Sequence, residues 1–260
     1  MLHIAQRKAV LVGAAALLLA ALATLPPLRQ DPRYHTFADR RTLLGIPNFW
    51  NVISNLPFFL AAACGVSALR SRPFVERWER AAHWALLAGA VGVGAGSSYY
   101  HLHPDNQRLF YDRLPTTVVF MAMAAITLGE CVSRKAAKRA LLPLLAAGVA
   151  SVFIWRATGD LRLYAAVQFG AMLAMPLMLI FGPGRDPAAA YTWGAVLLYG
   201  AAKIAEALDR QMGAFLSTGG HPWKHVAAGA ALVVYVVGIG RRSALARAPA
   251  REASAVVLRA

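Results

Sequence analysis

The chain has 260 residues, of which 58% are hydrophobic and 15% charged, with a mean hydropathy of +0.49. A soluble domain carries about 25% charged residues, so this composition excludes a soluble globular protein and describes a polytopic membrane protein. The 27 Lys and Arg outnumber the 12 Asp and Glu. They are scattered through short connections and form no face or stripe, which excludes nucleic acid as a partner.

Apolar runs recur at 9–25, 48–69, 81–101, 114–130, 140–155, 162–181, 190–208 and 221–240. Each is close to the ~20 residues that cross a bilayer as helix. No alternating strand pattern is present, and lipid cannot satisfy an open backbone, so the predicted fold is all-α, a transmembrane helical bundle. The 9–25 run follows Arg7-Lys8 and ends near Ala21-Leu22-Ala23, so residues 1–25 read equally as an anchor helix or as a cleavable signal segment. Residues 26–47 open with Pro26-Pro27, are too polar to cross, and are expected on the outer surface, packed across the bundle mouth.

In the second run Asn48, Asn51 and Asn55 fall at i, i+3 and i+7 with Ser54 alongside, and in the seventh Tyr199, Lys203, Glu206 and Arg210 repeat that stripe. Polar groups at membrane depth turn toward the bundle interior, which predicts an enclosed polar chamber. Lys203 and Glu206, three apart, are expected to neutralise each other. An ion or proton path through Lys203, Glu206 and Asp209 is a further reading, but no duplicated halves or paired broken helices accompany it. Cys64 and Cys131 read as small buried thiols rather than a disulfide framework. Residues 241–260, rich in Ala and Arg, read as a basic disordered tail. Basic residues weigh toward the connections on the amino-terminal side, which places both termini inside.

The chemistry concentrates in His221-Pro222-Trp223-Lys224-His225, where two histidines four residues apart open an apolar run. On a helix that spacing stacks both imidazoles on one face about 6 Å apart, able to share one metal ion. His101 ends the third run with Ser97 one turn before it, and Asp112 begins the next. Under the expected topology all of these reach the same depth near the outer face. His83 and His35 are expected at the interface and His103 in a loop. Zinc held by three neutral imidazoles keeps an open fourth position and lowers the pKa of a bound water toward ~7. Asp112 could take the water's proton, and Ser97 could donate to the developing oxyanion. Ser97 equally fits a serine bonded back to its own helix, and Asp112 a partner of Arg113 or a helix N-cap. No Gly-x-Ser-x-Gly elbow is present, so a serine nucleophile is not favoured.

Phe49-Trp50-Asn51-Val52-Ile53-Ser54-Asn55, Ser97-Ser98-Tyr99-Tyr100-His101, Asp112 and His221-Pro222-Trp223-Lys224-His225 together resemble the alkaline ceramidase family. That family lies within a wider superfamily of seven-helix membrane hydrolases, and the resemblance covers residues 34–240. It implies a seven-helix core at 48–240, to which the first run is extra, and zinc bound by His101, His221 and His225. Ser97 and Asp112 then stand beside the metal-bound water, and the substrate is the amide of ceramide or a related N-acyl membrane lipid. Eukaryotic members look to bind calcium through an acidic residue just before the Trp-Asn motif. Here that position is Asn48, so calcium is not carried over, and the sequence looks like the bacterial members. No protein partner is expected. A non-enzymatic heptahelical lipid-binding or receptor-like protein with a structural metal is the alternative reading.

Overall fold

The computed structural model describes residues 4–70, 74, 76–183 and 188–257. Arg72, Arg185 and the last three residues of the basic tail lie outside the described residues. The chain forms α1 (Ile4–Thr24), α2 (Phe49–Ile53), α3 (Leu56–Arg70), α4 (Arg77–Leu102), α5 (Asn106–Cys131), α6 (Arg134–Thr158), α7 (Arg162–Phe181), α8 (Ala189–Ala207), α9 (Asp209–Met212) and α10 (His221–Val257). No strand occurs among the described residues, so the helical bundle expected from the apolar runs is the fold.

Among the described residues, six stretches are long and apolar enough to cross a membrane: α1, α2 with α3, α5, α6, α7 and the first half of α10. This is an integral, multi-pass protein. Its outward surfaces carry Leu142, Leu173, Leu197 and Phe153, each more than half exposed, as lipid contact requires. The other two long helices carry charge. α4 spans 26 residues with Glu79 in its first turn, and α8 spans 19 with Lys203 and Glu206 in its second half.

α5 is the central helix, buried along most of its length and packed against α4, α6 and α7. α10 packs between α8 and α3, while α1 rests on α7. Local sequence sets the ends. Asp105 caps α5 through the Arg108 amide at 2.7 Å, and Ser133 caps α6 through the Ala136 amide. Gly159 closes α6 at φ 72°, a left-handed conformation that glycine adopts without steric cost.

The fold departs from expectation in four places. The second run is not one helix: it breaks at Ser54 and Asn55, just before Pro57, whose ring and missing N–H disfavour a continuous helical ladder. The Asn55 side chain stabilises the break by donating to the carbonyls of Asn51 and Val52. Cys64 lies on an exposed face of α3, although Cys131 is buried and both thiols are free. His83 is fully buried inside α4, bonded to the Glu79 carbonyl, where an interfacial position was expected. Finally, α10 continues as helix to Val257, through most of the segment read as a disordered tail, because Ala and Arg are strong helix formers.

Candidate metal centre

Close helix contact is what brings the site together. A Cβ at Gly96 of α4 would lie 2.0 Å from the Tyr111 carbonyl oxygen of α5, so only glycine lets the two backbones meet there. The approach sets Ser97 beside Asp112. At the start of α10, Gly220 similarly abuts the Ala205 carbonyl of α8.

His101, at the end of α4, meets His221 and His225, on the first turns of α10. Their ring centroids stand 4.8 to 4.9 Å apart, and one nitrogen from each lies within 4.8 Å of the others. Nitrogens bound at about 2 Å to one tetrahedral ion sit about 3.4 Å apart, a difference that small side-chain rotations span. All three imidazoles are buried, at 0%, 3% and 2% exposure. Both ring nitrogens of His101 and Nε2 of His221 lack a hydrogen-bond partner. A buried imidazole nitrogen left unpaired costs on the order of 1–3 kcal/mol, and three together are an unusual burden on a fold unless a cation satisfies them. The donor set therefore fits a metal, and this group could hold one.

The surroundings orient the ligands. Ser54 Oγ donates to the Asn51 carbonyl, so its single proton is committed. With Nδ1 of His225 protonated and donating to Ser54 at 2.9 Å, Nε2 would keep its lone pair toward the cage. Asn48, at φ 48°, donates to the His101 carbonyl at 2.9 Å and fixes the end of α4. Asp209 Oδ1 accepts from the amides of Gly220 and His221, both at 2.8 Å, and Oδ2 accepts from Ala38, also at 2.8 Å. One carboxylate thus anchors the start of α10 and the 31–41 segment. That segment crosses the site, and Phe37 lies 4.3 Å from the His221 ring and 4.7 Å from the His101 ring.

Ser97, Asp112 and His225 open onto a cavity of about 110 Å³. Ser97 Oγ is 3.5 Å from His225 Nε2 and hydrogen-bonds the Asp112 carboxylate, so it is not merely bonded to its own helix. Asp112 caps no helix, since Asp105 holds that place. Nor is Arg113 its dedicated partner: that guanidinium lies over Trp155 and Tyr164 at 4.2 and 4.6 Å and donates to Gln30. Phe58, Val93, Phe120, Met123, Met172 and Leu232 give the rest of the cavity an apolar wall.

The facing wall is polar. Lys203 neutralises Glu206 as the spacing suggested, and Lys224 adds a second ion pair to the same carboxylate at 3.0 Å. Tyr34 also donates to Glu206, at 3.3 Å. Burial, then the Glu206 charge, pushes the Tyr34 hydroxyl above the ordinary tyrosine range, so it stays a donor. His35 is half-buried, bridging Tyr100 and Asn106 at 2.8 and 3.0 Å, and His103 is an exposed loop residue.

Five residues that build the site escaped the sequence reading: Phe37, Asn48 as a cap on α4, Ser54 as a histidine partner, Asp209 as an anchor and Lys224 in the cavity wall. Asn48 and Ser54 carried a signal as inward polar residues of the second run, and Lys224 carried one by lying three residues after His221 on one helix. No family model matches the chain, and no curated protein matches it.

Proposed function

We propose that the protein is a zinc-dependent intramembrane hydrolase that cleaves the amide of ceramide or a related N-acyl lipid. The observation that carries this reading is the convergence of three buried, incompletely paired imidazoles at the polar end of an otherwise apolar cavity, with a carboxylate and a hydroxyl on the same wall. Zinc on these nitrogens supplies Lewis acidity that makes water a nucleophile near neutral pH.

Amide hydrolysis adds the elements of water across the acyl carbon–nitrogen bond and yields a carboxylic acid and an amine. Asp112 faces the cavity and is the group in position to take the proton from water and return it to the departing nitrogen. Ser97 holds that carboxylate by donating to it and can turn its hydroxyl toward the oxygen on which charge develops. The Phe58, Phe120 and Leu232 wall takes an acyl chain and excludes bulk water, as does Phe37 above the histidines.

The test is metal analysis by mass spectrometry on purified protein together with fatty-acid release from a panel of N-acyl lipids, with and without a chelator. One zinc per chain is expected in the wild type, with most of it lost in His221→Ala and His225→Ala. Asp112→Asn should keep its zinc and lose about 10²- to 10⁴-fold in turnover, the usual weight of a general base. Stoichiometric zinc in both histidine variants would defeat the metal assignment, and full activity in Asp112→Asn would remove that residue from the chemistry.

A further inference from the structure

A second opening lies beside the metal centre. It is a cleft of about 350 Å³ between the 31–37 segment and the α8–α9 junction, lined by Arg33, Tyr34, Phe37, Glu206, Arg210 and His221 among others. Tyr34 and Glu206 line both this cleft and the apolar cavity, so their hydrogen bond is the partition between the two spaces. The ligands divide in the same way: His225 faces the cavity and His221 faces the cleft. A bond held at the metal therefore has an apolar chamber on one side and a polar one on the other.

The charges of the cleft are not evenly committed. Asp209 has both oxygens occupied by backbone amides. Glu206 is held by two ammonium groups and a phenol. Asp31 accepts the Arg33 amide within its own turn. The arginines are different. Among the described residues no carboxylate pairs with Arg33 or Arg210; Arg210 donates to the Thr36 hydroxyl at 2.7 Å. Guanidinium groups present a planar fork of donors that matches an oxyanion, and a pair at one rim without carboxylate partners leaves that capacity unused.

We propose that the cleft is a headgroup subsite for an anionic, phosphate-type group on the N-acyl lipid, gripped by Arg33 and Arg210 while the acyl chain fills the apolar cavity. The proposal rests on the hydrolase reading for its geometry, with the amide at the metal between the two spaces.

The test compares one N-acyl lipid bearing a phosphate headgroup with its counterpart ending in a hydroxyl, both in neutral detergent micelles with the full-length protein. Binding, bound metal and fatty-acid release are measured separately. The wild type should bind the phosphate lipid about tenfold or more tightly than the neutral one, in keeping with two charge-assisted contacts. Arg33→Gln with Arg210→Gln should abolish that preference while bound metal and cleavage of the neutral lipid stay unchanged, and Arg33→Lys with Arg210→Lys should restore part of it. Equal binding of the two lipids, or a preference that survives the double glutamine variant, overturns the subsite even if both lipids are cleaved. Preferential binding with no fatty acid released from any lipid removes the hydrolase reading and leaves the subsite standing. Inorganic phosphate captured by the arginines without any preference between the lipids makes the cleft a free-anion site and likewise overturns the headgroup assignment.

Discussion

A single proton decides what His225 can do. A chain runs from His225 Nδ1 through Ser54 Oγ to the Asn51 carbonyl, and with the proton on Nδ1 the nitrogen available to a metal is Nε2. Partners of this kind typically contribute 10- to 100-fold to metal affinity. Ser54→Ala is therefore expected to weaken zinc binding by about that factor while the fold persists, because the lost group is a hydroxyl beside a helix break rather than part of the packed core. A competition titration against a chelating dye reads the effect, and unchanged affinity would show that the tautomer needs no help from Ser54. The histidines themselves were legible in the sequence because a helix turns every 3.6 residues, which makes a four-residue spacing in an apolar run a statement about one face. Ser54 and Asn48 were legible as polar residues facing inward. Their partners were not, since Asn48 and Ser54 stand at the two ends of the short helix α2, outside the regular turn that a continuous helix would give them. Phe37 lies in an irregular segment and Asp209 opens the four-residue helix α9, both too short for periodicity to say which way a side chain points.

Between elements, the connections are tied by side chains from far along the sequence. Asp160, in the turn between α6 and α7, accepts from the Arg162 amide and guanidinium and from the Leu28 amide, which joins the segment after α1 to that turn. The Arg162 side chain, then its amide, holds the Asp160 carboxyl down at about 2. A group depressed in the folded state contributes stability that is complete above its ordinary carboxylate value and fades as pH falls through the folded one. Wild type should thus melt higher than Asp160→Asn from neutral pH to about pH 5, with the gap closing between about pH 4 and pH 2. Thermal melts of both proteins across that range check the sign, and a gap already closed at pH 5 contradicts it. The eight apolar runs are mainly helical, the second of them split into α2 and α3, because sustained apolarity over about 20 residues has few other outcomes in lipid. The ties between them were not readable: Asp160 and Leu28 are separated by 132 positions, and no local pattern pairs them.

For the whole molecule, a metal held by the three histidines would cross-link α4 and α10, whose histidines lie more than a hundred residues apart in the chain. These helices do not depend on one another for most of their packing: α4 is held mainly by α5, and α10 mainly by α8 and α3. The unpaired nitrogens of His101 and His221 are a local destabilisation at this junction, which an ion converts into bonds. Binding to the native state alone stabilises by about 4 kcal/mol when free zinc exceeds its dissociation constant a thousandfold. For a chain of this length that corresponds to a rise in Tm on the order of 10 °C. Chelation should lower the Tm of the wild type by that order, added zinc should restore it, and His221→Ala should melt near the chelated wild type with little response to either treatment. The comparison separates a metal that staples the bundle from one that merely visits it. A chelator-insensitive Tm in protein verified to have lost its zinc would mean that the packing of α4 on α5 and of α10 on α8 suffices to hold the cage, with the histidines kept together by the helices alone.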